Sequence, residues 1–294
     1  MKLYLNASVL LFGLLLITEP KCMAGDDLPA NSPVLNKPFR SLQFGMGRTF
    51  SVFRDFATSP LFYRGNPLQY SLSWAKEEGR KDRRLTFRYQ SGTYLPEIDA
   101  AKTPAKAHTI YLQYSRLWYI GTWKNTDLRL GGMMDLSGNL RVNAALQNNA
   151  GGLELFNTLF ASVRISRDVS RLQEKTTKLL WLIPWRRIPR RRTLSFQLNT
   201  ALINNNYRNG YIYSNHANIT NKPNPLYNYH FNAFSGYRMS TALEYAIFLN
   251  NGNAIRYSWN WDALRSGEQF NRFEMGHHAF QLAFLFHLPE REKK

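Results

Sequence analysis

The segment Phe280-Gln-Leu-Ala-Phe-Leu-Phe-His-Leu288 constrains this chain more than any other. Phe280, Leu282, Phe284, Phe286 and Leu288 occupy alternate positions, with Gln281, Ala283, Leu285 and His287 between them. Side chains of a strand point alternately to its two faces, so a strand here carries one continuous apolar stripe. Such a stripe needs either a second protein layer to cover it or lipid to face.

The same alternation recurs along the chain. A first strand is expected within Ser41–Phe53. Leu68, Tyr70, Leu72 and Trp74 alternate with Gln69, Ser71 and Ser73, and Leu85, Phe87 and Tyr89 with Thr86, Arg88 and Gln90. Ile110, Leu112 and Tyr114 share a face of a strand that starts near His108. Lys124-Asn-Thr126 reads as a tight turn. Leu128 to Leu136 alternate with Arg129, Gly131, Met133 and Asp135, and Leu140 to Leu146 with Arg141 and Asn143. Ser137-Gly-Asn139 between these two segments reads as a hairpin turn. Leu153–Ile165 fits both a strand and a helical period, and its neighbours favour a strand. Further strands are expected over Leu194–Leu202, Met239–Leu249, Ile255–Trp261 and Arg272–Leu288. Leu226–Phe234 can supply one more. Because single-chain bacterial barrels have even strand numbers, about twelve strands are expected, with ten the next count.

The face opposite the apolar stripes is rich in Gln, Asn, Ser, Arg and Gly, which suits a wet or hydrogen-bonded lumen. A soluble sandwich or lipocalin-like barrel would put the apolar face inward instead. Residues 1–25 read as a secretory signal, with Lys2 ahead of the short apolar run Val9–Ile17 and small residues near Ala24. Residues 26–39 are a polar, proline-containing leader and residues 289–294 a polar tail. Cys22 is the single cysteine, so cleavage after Ala24 leaves none and excludes disulfides and thiolate metal sites. No later apolar stretch is long enough for a spanning helix, so a membrane form must close a barrel. The chain has 38 basic and 20 acidic residues, a net charge of +18. Export turns that charge away from nucleic acid and toward anionic lipid or glycan.

The signal, the alternating strands and the aromatic last strand together resemble the Gram-negative outer-membrane β-barrels over residues 40–288. The resemblance implies an all-β, transmembrane, antiparallel up-and-down β-barrel that is inserted by the barrel-insertion machinery. Its surroundings would be outer-membrane lipid and lipopolysaccharide. The chain departs from that pattern by running on through Pro289-Glu-Arg-Glu-Lys-Lys294. No site residue is carried over.

Local chemistry singles out three regions. Arg171–Arg192 sets Trp181, Trp185, Arg186, Arg187, Arg190, Arg191 and Arg192 around an apolar centre, a composition suited to anionic lipid. Asn204–Pro225 is a polar Tyr/Asn-rich loop of the kind that binds sugars. Arg88, Arg129, Arg141 and Arg256 fall on lumen faces and would favour anions in a pore. Ser214-Asn-His216 has the wrong order for an outer-wall hydrolase, and His230, Ser235 and Glu244 have no spacing that requires them to meet. His277 and His278 point to opposite faces and cannot share a metal ion. No cofactor, metal or catalytic residue is expected. The favoured function is a channel or passive transporter for small anionic solutes. A non-catalytic surface-binding or scaffold barrel ranks second, with bulky Met133, Phe248 and Leu285 as lumen plugs that would favour it. A lipid-directed hydrolase ranks third.

Overall fold

The computed structural model describes residues 39–98, 104–149, 151–170, 174–179, 183–187, 189–209, 229–267 and 271–289. The expected signal over residues 1–25, most of the expected leader and most of the C-terminal tail lie outside these, as does Trp181. Wall strands form in chain order: β1 (Phe39–Asp55), β2 (Ser59–Gly65), β3 (Leu68–Glu78), β4 (Lys81–Pro96), β5 (Ala105–Trp123), β6 (Thr126–Val142) and β7 (Gly151–Asp168). A short hairpin of β8 (Lys175–Leu179) and β9 (Ile183–Arg187) follows. The chain returns to the wall with β10 (Arg192–Asn209), β11 (Tyr229–Asn232), β12 (Tyr237–Phe248), β13 (Ala254–Ser266) and β14 (Phe273–His287).

The ring runs β1, β2 with β3, β4, β5, β6, β7, β10, β12, β13 and β14, each place pairing antiparallel with the next, and β1 pairs with β14 from Ser41↔His287 to Asp55↔Phe273 to close it. The result is an up-and-down barrel of ten strands, the second of the two expected counts. β2 and β3 share one place in the ring, because both lie between β1 and β4. Asn66-Pro67 interrupts them, since proline has no N–H for the ladder, but the Pro67 carbonyl still accepts the Thr49 N–H at 2.9 Å. β11 continues the line of β12 along β10 and adds no wall strand. This corrects the reading of Leu226–Phe234 as a spanning strand: only Tyr229–Asn232 is extended, and residues 226–228 lie outside the described ones.

The second correction concerns Ser137-Gly-Asn139. It is no turn, because β6 runs unbroken for 17 residues through it. Ser137 and Asn139 are buried and face the lumen, where Asn139 accepts from Thr109 Oγ1 at 3.0 Å and donates to Glu154 Oε2 at 2.9 Å. A polar residue is the ordinary lumen choice in such a wall, so the turn-forming residue types carried no turn information here. Joining these two segments turns the expected set into ten. The ambiguous Leu153–Ile165 lies within β7, as a strand. The tight turn expected at Lys124-Asn-Thr126 forms at Lys124-Asn125, where both residues take positive φ (46° and 63°), as a two-residue type I′ hairpin requires.

The apolar stripes face outward. Ile247, Ile255, Phe284, Phe44, Leu72, Phe87, Leu112 and Leu136 are successive cross-strand partners from β12 round to β6, a belt in register on the outer surface. Phe44 is 50% exposed and Phe284 47%, while Ser41, Thr49, Gln69, Asp135 and Thr158 are fully buried. This is the inverse of a soluble barrel. Water would penalise that belt, whereas hydrocarbon accepts it, and the closed hydrogen-bonding ladder leaves no edge to desolvate. Apart from β2 and β3, which share one place, and the short β11, the wall strands run from 12 residues in β12 to 19 in β5 and exceed the roughly 9–11 needed to cross the hydrocarbon. The first and last described residues, Phe39 and Pro289, lie at one end, here the terminal end, together with the short turns at Gly79-Arg80 and Lys124-Asn125.

Candidate functional site: the charged interior of the barrel

The lumen holds buried charge in three tiers. Nearest the end opposite the termini, Asp55 on β1 faces β6, β7 and β10. Its Oδ1 accepts from Arg208 Nη2 at 2.7 Å, and its Oδ2 pairs with Arg141. Arg141 also pairs with Glu154, whose Oε2 accepts the Arg141 Nε–H at 3.2 Å. Arg208 further donates to the Asn271 carbonyl at 2.7 Å. An aromatic cluster backs these charges. Phe53 stacks on Tyr63 at 5.1 Å and Phe156 on Phe273 at 5.6 Å. Arg141 and Arg208 each lie 5.2 Å from the Phe273 ring centre. Two guanidiniums and two carboxylates therefore balance within an aromatic plug.

In the middle tier Arg238 of β12 forms a fork on Asp262, with Nε–Oδ1 at 3.0 Å and Nη2–Oδ2 at 2.7 Å. Its Nη1 crosses the lumen to Asp135 Oδ1 of β6 at 2.7 Å. Asp135 is also held by Gln113 Nε2 at 2.6 Å. Arg88 lies 4.9 Å over the Tyr111 ring in the same tier, so charge again balances two to two. A ladder of amides runs alongside: Gln90 donates to Gln69 at 2.7 Å, and Gln69 to Gln281 at 3.3 Å.

The tier toward the terminal end joins opposite walls. Glu244 of β12 accepts both Arg84 nitrogens of β4, at 2.7 and 3.3 Å, and lies 3.5 Å from Arg256 Nη1. Arg256 Nη1 also donates to Gln43 Oε1 at 2.8 Å. Asp82 pairs with Arg164 and lies 3.8 Å from Arg129 Nη1, while Arg129 Nη2 pairs with Glu77. Inside a low-dielectric wall such pairs lose much of their Coulombic gain to desolvation, but an unpaired member is costlier still. They consequently fix the relative positions of strands that share no backbone ladder.

Space in the lumen is uneven. A cavity of about 940 Å³ occupies the terminal end and reaches the surface beside the exposed turn residues Lys124 and Asn125. Arg84, Arg129, Arg164 and Arg256 stand on its floor. Beyond that floor the spaces shrink to about 100 Å³ and then, beside Arg238 and Tyr111, to about 20 Å³.

Arg88, Arg129, Arg141 and Arg256 all point into the lumen, as the strand parity requires. They do not form a bare cationic lining: Arg129, Arg141 and Arg256 approach carboxylates within 4 Å. The partners Arg84, Arg164, Arg208 and Arg238 escaped the sequence reading, and so did the role of the acids. Parity would have found Asp82, Asp135, Glu244 and Asp262, since each sits on a lumen-facing position of an alternating segment. Met133, Phe248 and Leu285 also face inward; Leu285 is 2% exposed.

The basic segment divides. Trp185, Arg186 and Arg187 lie on β9, opposite Thr177, Thr176 and Lys175 of β8. Arg191 lies 4.7 Å over the Phe248 ring at the mouth of the large cavity. Arg192 donates its backbone N–H to Ser170 Oγ at 2.9 Å and its Nη1 to Tyr245 at 3.3 Å. Arg190 is half-buried next to them. Of the Tyr/Asn-rich loop, residues 210–225 lie outside the described residues, as do Ser214 and His216, while Asn204 and Asn206 are buried in β10. His277 is buried in the lumen and His278 stacks outside on Trp259 at 5.9 Å. Ser235 contacts Gly267 N at 3.0 Å at the far end of the wall, remote from Glu244 in the terminal tier. One serine–histidine contact was not anticipated: on the outer wall His108 Nδ1 meets Tyr89 Oη at 2.8 Å and Ser91 Oγ at 3.2 Å.

No protein-family model and no curated protein matches the sequence. Among solved structures, the chain is similar to the outer membrane protease OmpT from Escherichia coli, at 7% identity over 85% of this chain and 97% of that one, with a TM-score of 0.44. It is similar to the translocator domain of the autotransporter NalP from Neisseria meningitidis, at 8% identity over 96% and 95%, TM-score 0.38. The toluene transporter TodX of P. putida aligns at 6% identity over 87% and 91%, TM-score 0.32. The fold assignment rests on the closed register and the outer apolar belt described above.

Proposed function

We propose that this chain is an outer-membrane barrel that works as a closed, non-catalytic binding or scaffold protein. The observation that carries this reading is the obstruction of the lumen beyond the large cavity, by the Arg238–Asp135–Asp262 tier and then by the Asp55–Arg141–Glu154–Arg208 tier with its aromatic backing. An ion crossing the barrel would have to displace buried, mutually paired charges. Barrels of this kind place short turns toward the periplasm, which sets the start of β1, the end of β14, the large cavity and the basic hairpin on the periplasmic side. There the arginines of β9 would meet phospholipid head groups. Electrical recording of the refolded protein in planar bilayers, after a heat-modifiable gel shift has confirmed folding, tests the reading. A folded but silent barrel is expected. Stable anion-selective steps would overturn it in favour of a channel for small anionic solutes.

A further inference from the structure

The charge tiers differ in one respect. The two tiers in the blocked part of the lumen are neutral: Arg141 and Arg208 face Asp55 and Glu154, and Arg88 and Arg238 face Asp135 and Asp262. On the floor of the large cavity, four guanidiniums (Arg84, Arg129, Arg164 and Arg256) share the three carboxylates of Glu77, Asp82 and Glu244. Arg129 is 5% exposed, yet its Nη1 has no hydrogen-bond partner; Arg84 Nε and Arg256 Nε also lack one, as do Arg88 Nε and Arg208 Nε in the neutral tiers, so it is the excess of guanidiniums over carboxylates that sets this tier apart. The mouth does not redress the imbalance, since Lys124, Arg167 and Arg191 there outnumber Asp127 and Asp168. The tier that lacks a negative charge is thus the one that solvent and solutes reach.

We propose that this cavity is a binding site for a small solute bearing a carboxylate or phosphate group, which supplies the missing negative charge on the arginine floor. Burying a guanidinium without a counter-charge is costly, and an incoming anion removes that cost while gaining charge-assisted hydrogen bonds. The walls concentrate the field of the floor toward the mouth, which draws anions inward. A volume of about 940 Å³ is within the range of small-molecule sites. The proposal deepens the closed-barrel reading by naming what the cavity holds. Binding is measured separately from conductance, so either reading can fail alone.

The test is isothermal titration calorimetry on the mature chain, refolded in an uncharged maltoside detergent at low salt. Benzoate and inorganic phosphate are the anionic probes, and benzyl alcohol is the neutral control. At least one anion should bind, with benzyl alcohol about tenfold weaker or worse. Arg129→Gln should weaken anion binding about tenfold, whereas Glu77→Gln should tighten it, because it leaves four guanidiniums with two acids. The opposite signs separate a binding role from a structural one, since loss of an ion pair would impair both variants alike. The heat-modifiable gel shift establishes that each variant is folded. Equal affinity for benzoate and benzyl alcohol, the absence of anion binding to folded protein, or weakening by Glu77→Gln would overturn the proposal.

Discussion

Outward and inward positions of one strand live in different solvents, and the residue types follow. On β14, Phe280 is 54% exposed to the outside while its neighbour Ala279 is fully buried within. Phe280 lies midway along the strand and pairs with Arg48 and Trp259, whereas Phe284 is nearer the terminal end. The cost of a charge on the lipid face falls with distance from the midplane, so Phe280→Lys should destabilise the barrel by about 2–4 kcal/mol and Phe284→Lys by less. Denaturant titration of both variants refolded into lipid vesicles measures the difference. Equal costs would mean that the depth assignment is wrong. Inside the wall the reverse holds: Arg208 and Arg238 are among the most deeply buried side chains, and they are accommodated because carboxylates lie opposite them.

At the scale of the element, strand identity depends on what a polar or small residue faces. Gly138 sits mid-strand without a positive φ, and an added Cβ would meet only Leu155 Cδ2 at 3.3 Å. Gly138→Ala should therefore be neutral or stabilise by up to about 1 kcal/mol, because glycine weakens a strand interior. A loss of more than about 1 kcal/mol in the same vesicle titration would return this position to a turn. Gly47 is a different case, since a Cβ there would lie 2.1 Å from the Phe280 carbonyl oxygen across the closing seam. Glycine lets the first and last strands approach at that point. The β1–β2 ladder shifts register between Arg54 and Asp55, the β5–β6 ladder between Tyr119 and Gly121, and the β10–β7 ladder between Ala201 and Ile203, while β1 keeps its register with β14 through Asp55↔Phe273.

For the whole molecule, cohesion comes from the closed ladder and from ion pairs between strands distant in sequence, such as Arg84 with Glu244 and Arg238 with Asp135. The β8–β9 hairpin takes no part in the wall ladder, since the two strands pair with each other. Replacing residues 172–189 with a short Gly/Ser linker should leave the heat-modifiable shift and the vesicle unfolding midpoint unchanged. Loss of the shift would make the hairpin part of the folding core. Association with anionic phospholipid vesicles should fall in that variant at low salt, if β9 carries the membrane contact.

The alternation of residue types by itself determined that this chain is built of two-faced strands, one face apolar and one polar, because side-chain direction in a strand is a local property of the backbone. It also placed Arg88, Arg129, Arg141 and Arg256 on the polar face for the same reason. That the apolar face looks outward was decided only by the closed ring, which buries Thr49 and Gln69 and leaves Phe44 and Phe284 exposed. The alternation did not determine how many strands close the ring: Ser137-Gly-Asn139 looks like a turn until Glu154 and Thr109 are seen to claim its side chain. Nor did it pair the charges. Asp55 meets Arg141 and Arg208 only because closure brings β1 opposite β6 and β10, and no local signal encodes such a distance. Whether an inward arginine lines a path or seals it is a property of the assembled cross-section. There the described residues narrow the lumen around the Arg238 and Arg141 tiers and leave a large cavity at the terminal end, with more guanidiniums than carboxylates on its floor.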